Sequence, residues 1–310
     1  MSIVECVPNF SEGRRSEVID EIAGAAREAG GAYVLDLSSD PDHNRSVLTL
    51  AGDAPAVVNA VLEATRVAVA RIDLRVHEGT HPRMGAMDVV PFVALDERSE
   101  SEIMGCATGF ALRAWSELGV PCYFYGRVAR DPDRRELPKV RGKGFEELLT
   151  ASVEDPARKP DVGGPGIHPT AGAIAVGVRP PLIAYNVNLA STDLALAKRI
   201  ANRIRERDGG LPGVRALGMA LEERGMVQVS MNLVDYRRTP PAGAFAAVAA
   251  IAAEQGVDVV ESEVVGLIPK AALEGTSPEE LKVRDWRDDL VLETRLARVM
   301  TAKGGPGGTG

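Results

Sequence analysis

The chain has 310 residues, 45% of them apolar and 26% charged, with a net charge of −8; that is long enough for two domain-sized units of globular composition, each with its own core. The acidic surplus argues against generic nucleic-acid binding, which needs clustered Lys and Arg. No apolar stretch approaches the roughly 20 residues that span a bilayer, and the N-terminus has no basic region followed by an apolar one, so a cytoplasmic protein without membrane partner or signal peptide is expected. Three widely spaced cysteines in apolar surroundings, Cys6, Cys106 and Cys122, read as buried free thiols rather than a disulfide framework.

Taken in chain order, Ile3 to Pro8 reads as a strand, Glu17 to Ala29 as a helix stopped at Gly30-Gly31, and Tyr33 to Leu37 and Ser46 to Leu50 as two strands. Asp53 is placed to cap a helix from Ala54 to Ala70. Val89 to Ala94 is an apolar strand, and Pro91 within it predicts an edge position. A helix from Glu102 to Leu118 and a strand from Val120 to Tyr125 follow, and then a charged, irregular stretch, Arg127 to Arg158, that reads as a surface excursion.

Strands at Ala173 to Val178 and Leu182 to Asn188 come next, then a helix from Thr192 to Arg207. Strands at Arg215 to Ala220 and Val227 to Val234 precede a helix from Ala242 to Glu254 and a strand from Asp258 to Val265. Ser277 to Met300 reads as a charged helix, and Thr301 to Gly310 as a glycine-rich mobile tail. The order β-α-β-β-α-β thus occurs twice. It predicts an α/β (α+β) fold of two ferredoxin-like lobes, residues 1–178 and 179–300, with antiparallel or mixed sheets facing each other across a substrate groove.

The run His77 to Phe92, HEGTHPRMGAMDVVPF, holds two of the four histidines and contains the pattern HExxH. In zinc hydrolases that pattern lies on one helix, so that both imidazoles share a face. Here Pro82 follows the second histidine directly, forces it out of helical geometry and has no N–H to return to Glu78, while Gly79 weakens a helix further. The zinc reading is therefore disfavoured. His81, on a loop leading into an apolar strand beside Arg83 and Gly85, is placed either to transfer protons or to bond a backbone carbonyl. Arg83 can grip a carboxylate in bidentate fashion, or form a structural ion pair.

The same run resembles the active-site stretch of glutamate formimidoyltransferases. IVECVPNFSEGR at the start, LIAYNVNLAST and VQVSMNLVDY in the second half, and VVGLIP near Ala272 extend the resemblance, in order, over Ser2 to Ala272. The resemblance implies two α/β lobes around a substrate tunnel. It implies transfer of the formimino group from N-formimino-L-glutamate to tetrahydrofolate as co-substrate, with no metal, in histidine breakdown. The length matches the stand-alone microbial form rather than the animal form fused to a cyclodeaminase. The catalytic histidine falls on His81. The folate-binding segment falls on Gly163, Gly164, Pro165, Gly166, Ile167, His168, Pro169, Thr170, Ala171 and Gly172.

The family often reads LLDVD after the first helix; here Ser38 stands in place of the second Asp, which leaves Asp36 or Asp40 to assist His81. Arg45 and Arg83 are candidates to meet substrate carboxylates. Asn9, Asn44, Asn188 and Asn232 either bond the ligand or close turns and strand ends. Exposed sheet edges would suit a homodimer. The competing readings are an enzyme or binding protein for 5-formyltetrahydrofolate, and a non-enzymatic interaction protein on the same architecture.

Overall fold

The computed structural model describes residues 3–80, 82–93 and 100–303, so that His81, Ala94 and residues 304–310 of the tail lie outside the described residues. The chain divides into two compact units, Met1–Arg179 and Pro180–Gly310.

The first unit is built on a mixed sheet of strands β1 (Val4–Cys6), β2 (Asn9–Phe10), β3 (Ala32–Asp40), β4 (Arg45–Gly52), β5 (Met87–Val93), β6 (Cys122–Gly126) and β7 (Ile174–Arg179). β1 and β2 are two pieces of one interrupted strand, both antiparallel to β4 on one side and β5 on the other. β3 pairs with β4, and β7 lies between β5 and β6, parallel to both.

Helices α1 (Ser16–Glu28), α2 (Ala54–Arg71) and α3 (Glu100–Leu118) supply Val18, Ile22, Val57, Val61, Ala107 and Phe110 to one core with Leu48, Leu50, Val90, Phe92 and Val176 of the strands. The α2 cap is formed as expected: the Asp53 carboxylate accepts from Ala56 N–H at 2.9 Å, satisfying an orphan donor of the first turn. Cys6, Cys106 and Cys122 are buried free thiols, each with its pKa raised by burial first, Cys106 to about 11.

Two expectations for the first unit fail. Pro91 is not at an edge, since β5 has neighbours on both sides. It lies opposite the break between β1 and β2, where its carbonyl accepts from Val7 N–H at 3.1 Å. The N–H that proline lacks would have gone to the Val7 carbonyl; Asn9 Nδ2 donates there instead, at 2.7 Å.

Residues 127–158 are also more than an irregular surface excursion. They hold α4 (Leu137–Arg141) and α5 (Phe145–Glu154). Val140 and Leu148 pack with Met84, Val89, Tyr123, Tyr125, Ala173 and Ala175 into a second core. Since strand neighbours alternate in direction, Tyr123 and Ala175 face away from the core that takes Phe124 and Val176; α4 and α5 thus cover the face that α1–α3 leave open.

The second unit is a four-stranded antiparallel sheet in the order β11-β8-β10-β9, with β8 (Ile183–Leu189), β9 (Val214–Leu221), β10 (Met226–Leu233) and β11 (Val259–Val265). Helices α6 (Leu194–Ile204) and α7 (Pro241–Ala253) close its core through Leu196, Ile200, Ala244 and Val248 against Tyr185, Val187, Val229 and Met231.

The expected helix over Ser277 to Met300 is only α8 (Leu292–Lys303). Lys282 and Asp285 take positive φ, which no helix interior tolerates. The segment before α8 runs instead along β11: Ser262 N–H donates to Lys282 O at 2.7 Å and Arg284 N–H to Ser262 O at 2.9 Å. An otherwise open sheet edge is covered in this way.

Candidate active site

The loop that follows His81 is fixed at almost every backbone group. Arg83 O accepts from Phe145 N–H at 2.9 Å, and Met84 O from Ala173 N–H at 2.9 Å. Gly85 O accepts from Ser11 Oγ at 2.8 Å. Ala86 N–H donates to Ala171 O at 2.9 Å, and Ala86 O accepts from Ser11 N–H at 2.8 Å. The N–H groups of Met84 and Gly85 both donate to Asp88 Oδ1, at 2.7 and 3.3 Å. Asp88 is 1% exposed, and its other oxygen pairs with the Arg141 guanidinium of α4 at 2.6 Å. Ser11 and two distant segments, 141–146 and 171–173, therefore converge on residues 83–88.

The stretch before His81 docks elsewhere. His77–Thr80 has no helical conformation, so it lacks the geometry that puts two imidazoles on one helix face. It rests on the turn joining β3 to β4. Asn44 Nδ2 donates to Glu78 O at 2.8 Å, while its Oδ1 accepts from Gly13 N–H at 2.9 Å. His77 Nε2 meets Asn44 O at 3.1 Å, and Thr80 Oγ1 donates to Asp42 O at 3.3 Å. A Cβ on Gly79 would stand 2.5 Å from His43 O, so only glycine permits this approach. Burial, more than the opposing Asn44 contact, lowers the His77 pKa, and His77 serves as a neutral structural donor.

Of the two carboxylates weighed for assisting His81, Asp40 shapes the turn. Its Oδ1 accepts from the N–H groups of Asp42 and His43, both at 2.9 Å, and Oδ2 pairs with His43 Nδ1 at 2.7 Å. Partial burial pushes the Asp40 carboxyl up, but the His43 and Asp42 hydrogen bonds outweigh it and hold the group below the usual carboxylate range. Asp36 is half-buried at a β-bulge, opposite Thr49.

Arg45 is half-buried, and its Nε donates to Asn9 Oδ1 at 3.0 Å. Burial lowers its pKa, Asp88 opposing the fall and Arg141 adding to it. Arg83 is engaged by Leu74 O at 2.9 Å, His77 O at 3.1 Å and the Glu146 carboxylate of α5 at 2.8 Å. That set of contacts ties the loop to α5.

In the segment 163–172, Gly163, Gly164, Gly166 and Gly172 all take positive φ. Pro165 and Pro169 are exposed, Ile167 is half-buried and Ala171 is buried. His168 Nδ1 accepts from Ala171 N–H at 3.0 Å and Thr170 N–H at 3.3 Å, which assigns its proton to Nε2. Burial lowers its pKa. The end of the segment joins the histidine loop, with Gly172 bridged to Gly85. Sequence reasoning missed Asp88 and Arg141; the only signal was an aspartate four residues after a loop methionine.

In the second unit, Asn188 donates to Glu261 at 2.8 Å and accepts from Gln228 at 3.0 Å. Glu261 in turn pairs with Arg224 at 2.8 Å. Among the described residues, no three His, Cys, Asp or Glu side chains group as a metal site.

Fold and site together define a two-unit α/β protein whose first unit carries a buttressed histidine loop. The model of the formiminotransferase domain, N-terminal subdomain, matches residues 3–179, and that of the formiminotransferase domain matches residues 184–278. The chain belongs to the formiminotransferase domain family. It is 41% identical over 299 residues to the glutamate formimidoyltransferase of Thermoplasma acidophilum, covering 96% of this chain and 98% of that protein. It is 42% identical over 295 residues to the glutamate formimidoyltransferase of Streptococcus pyogenes serotype M1, covering 95% and 98%. With the formimidoyltransferase-cyclodeaminase of Gallus gallus it shares 44% identity over 277 residues, 87% of this chain but 51% of that protein.

Proposed function

We propose that the protein transfers the formimino group of N-formimino-L-glutamate to tetrahydrofolate, giving 5-formiminotetrahydrofolate and L-glutamate, in histidine degradation. The observation that carries this reading is the near end-to-end match, at 41% identity, to a glutamate formimidoyltransferase. We read the two units as ferredoxin-like lobes; the β11-β8-β10-β9 order of the second sheet supports this. We place the protein in the cytoplasm, in keeping with its free thiols.

In the proposed chemistry, N5 of the pterin attacks the amidine carbon and a C–N bond forms. His81 takes the N5 proton and returns a proton to the glutamate nitrogen, whose bond to the carbon then breaks. A histidine titrating near neutral pH suits both steps. Asp36 and Asp40 remain the carboxylates assigned to assist it. Asp40 acts from the turn on which Thr80 rests, and its bond to His43 makes that action indirect. We assign residues 163–172 to the pterin, since positive-φ glycines expose backbone groups without side chains in the way. Arg45 is assigned to a substrate carboxylate. Arg83, given its bonds to Glu146 and two carbonyls, is assigned to holding the loop.

The test is product analysis with each one-carbon donor. Formiminoglutamate plus tetrahydrofolate should give glutamate and 5-formiminotetrahydrofolate in equal amounts. Turnover of 5-formyltetrahydrofolate alone would replace this reading with the formyl one.

A further inference from the structure

Asp88 is an expensive residue to bury. A buried ion pair seldom outperforms an apolar pair in stability, so its presence calls for another role. One oxygen is committed to two successive backbone N–H groups, Met84 and Gly85, and the other to Arg141. Both carboxylate oxygens thus fix conformation. Met84 is fully buried, so its N–H has no water to turn to if Asp88 is lost.

Arg141 also ends α4, and the next residues continue the grip. Phe145 N–H holds Arg83 O, and the Glu146 carboxylate holds the Arg83 guanidinium. Arg83, Met84 and Gly85, starting two residues after His81, are therefore held by residues 141–146 or through Asp88. On the other side Thr80 is held by Asp42.

Resting on the reading of His81 as the proton-transfer group, we propose that Asp88 and Arg141 are positioning residues for the transfer reaction. The pair sets the path of the chain leaving His81, and α4–α5 is the buttress that delivers it. A reacting group displaced by about 1 Å loses on the order of 100-fold in rate. The pair touches the loop backbone, so its loss should act on turnover and leave substrate affinity largely intact.

The experiment compares Asp88→Asn and Arg141→Lys with wild type, His81→Ala and the exposed surface variant Arg203→Ala. It measures kcat, KM for both substrates, thermal melting, and hydrogen exchange of the peptide spanning residues 82–88. Asn retains an acceptor for Met84 N–H, and Lys retains the charge without the planar fork. The expected result is a kcat lowered roughly 10- to 100-fold in folded protein, with KM within about threefold and faster exchange confined to that peptide. Arg203→Ala should behave as wild type.

Folded variants with kcat and exchange like wild type would overturn the proposal. So would a kcat that merely tracks the folded fraction, or a rise in KM at unchanged kcat. Inactive wild type would sink the transferase reading, while exchange at 82–88 still decides the positioning. Active wild type, inactive His81→Ala and unaffected Arg141→Lys would sink the positioning alone.

Discussion

Gly172 lies so close to Met84 that a Cβ added to it would stand 2.1 Å from the Met84 carbonyl oxygen. Its φ of +70° is one that L side chains rarely adopt. This contact joins the glycine-rich segment to the histidine loop, 88 residues apart by the difference of 172 and 84. Gly172→Ala should cost at least about 2 kcal/mol and lower activity with it, because backbone must move as well as strain. Gly209 also has positive φ, but a Cβ added there would meet nothing within 4 Å, so Gly209→Ala should cost only about 1 kcal/mol. Urea denaturation of both variants checks the difference; equal costs would show that the contact adds nothing.

Asn9 replaces the hydrogen bond that Pro91 cannot make. Asn9→Asp keeps an acceptor for Arg45 but loses the donor to Val7 O, and should destabilise by about 1–3 kcal/mol. In a Pro91→Ala background the restored N–H can serve Val7 O, so the Asn9→Asp cost should shrink. A double-mutant cycle reads this coupling directly, and strict additivity would refute it.

Asn44 stitches the β3–β4 turn to Gly13 and Glu78 at a φ of 49°. Asn44→Ala should lose about 2–4 kcal/mol through one buried and one partly buried hydrogen bond and an unfavourable φ. Asn44→Gly, relieved of the φ strain, should lose less. Comparing their denaturation midpoints settles the order, and a more stable Ala variant would contradict it.

His77 and His168 both have pKa values lowered by burial. The unfolded chain therefore binds protons that the folded chain refuses. Their contribution to stability is present above the ordinary histidine pKa of about 6.5 and is lost as pH falls through it toward the lower folded values. Denaturation midpoints should fall between pH 7 and pH 5, and the fall should be smaller in His168→Gln. A midpoint that rose on acidification in wild type, with the same slope in the variant, would contradict this.

Much of the fold was legible in the sequence because helical spacing, Asp53 and the apolar strands each carry a local signal. Where the expectation failed, the deciding partner was distant. Val140 and Leu148 are too few apolar positions in a charged stretch to announce a second core, and they matter only because Tyr123 and Ala175 face them. Pro91 read as an edge residue because its substitute donor, Asn9, sits in another strand. The helix over Ser277 to Met300 was over-extended because the pairing with Ser262 leaves no periodic mark. In the site, His81 and the 163–172 segment stood out through the resemblance. Asp88 and Arg141 did not, since a buried pair 53 residues apart has no spacing of its own.

The most direct test of the central claim is turnover of formiminoglutamate with tetrahydrofolate by wild type, His81→Ala and His77→Ala side by side. His81→Ala should lose roughly 10²- to 10⁴-fold in kcat with its fold intact, and His77→Ala much less. Equal losses for the two histidines, or turnover undiminished in His81→Ala, would contradict the assignment.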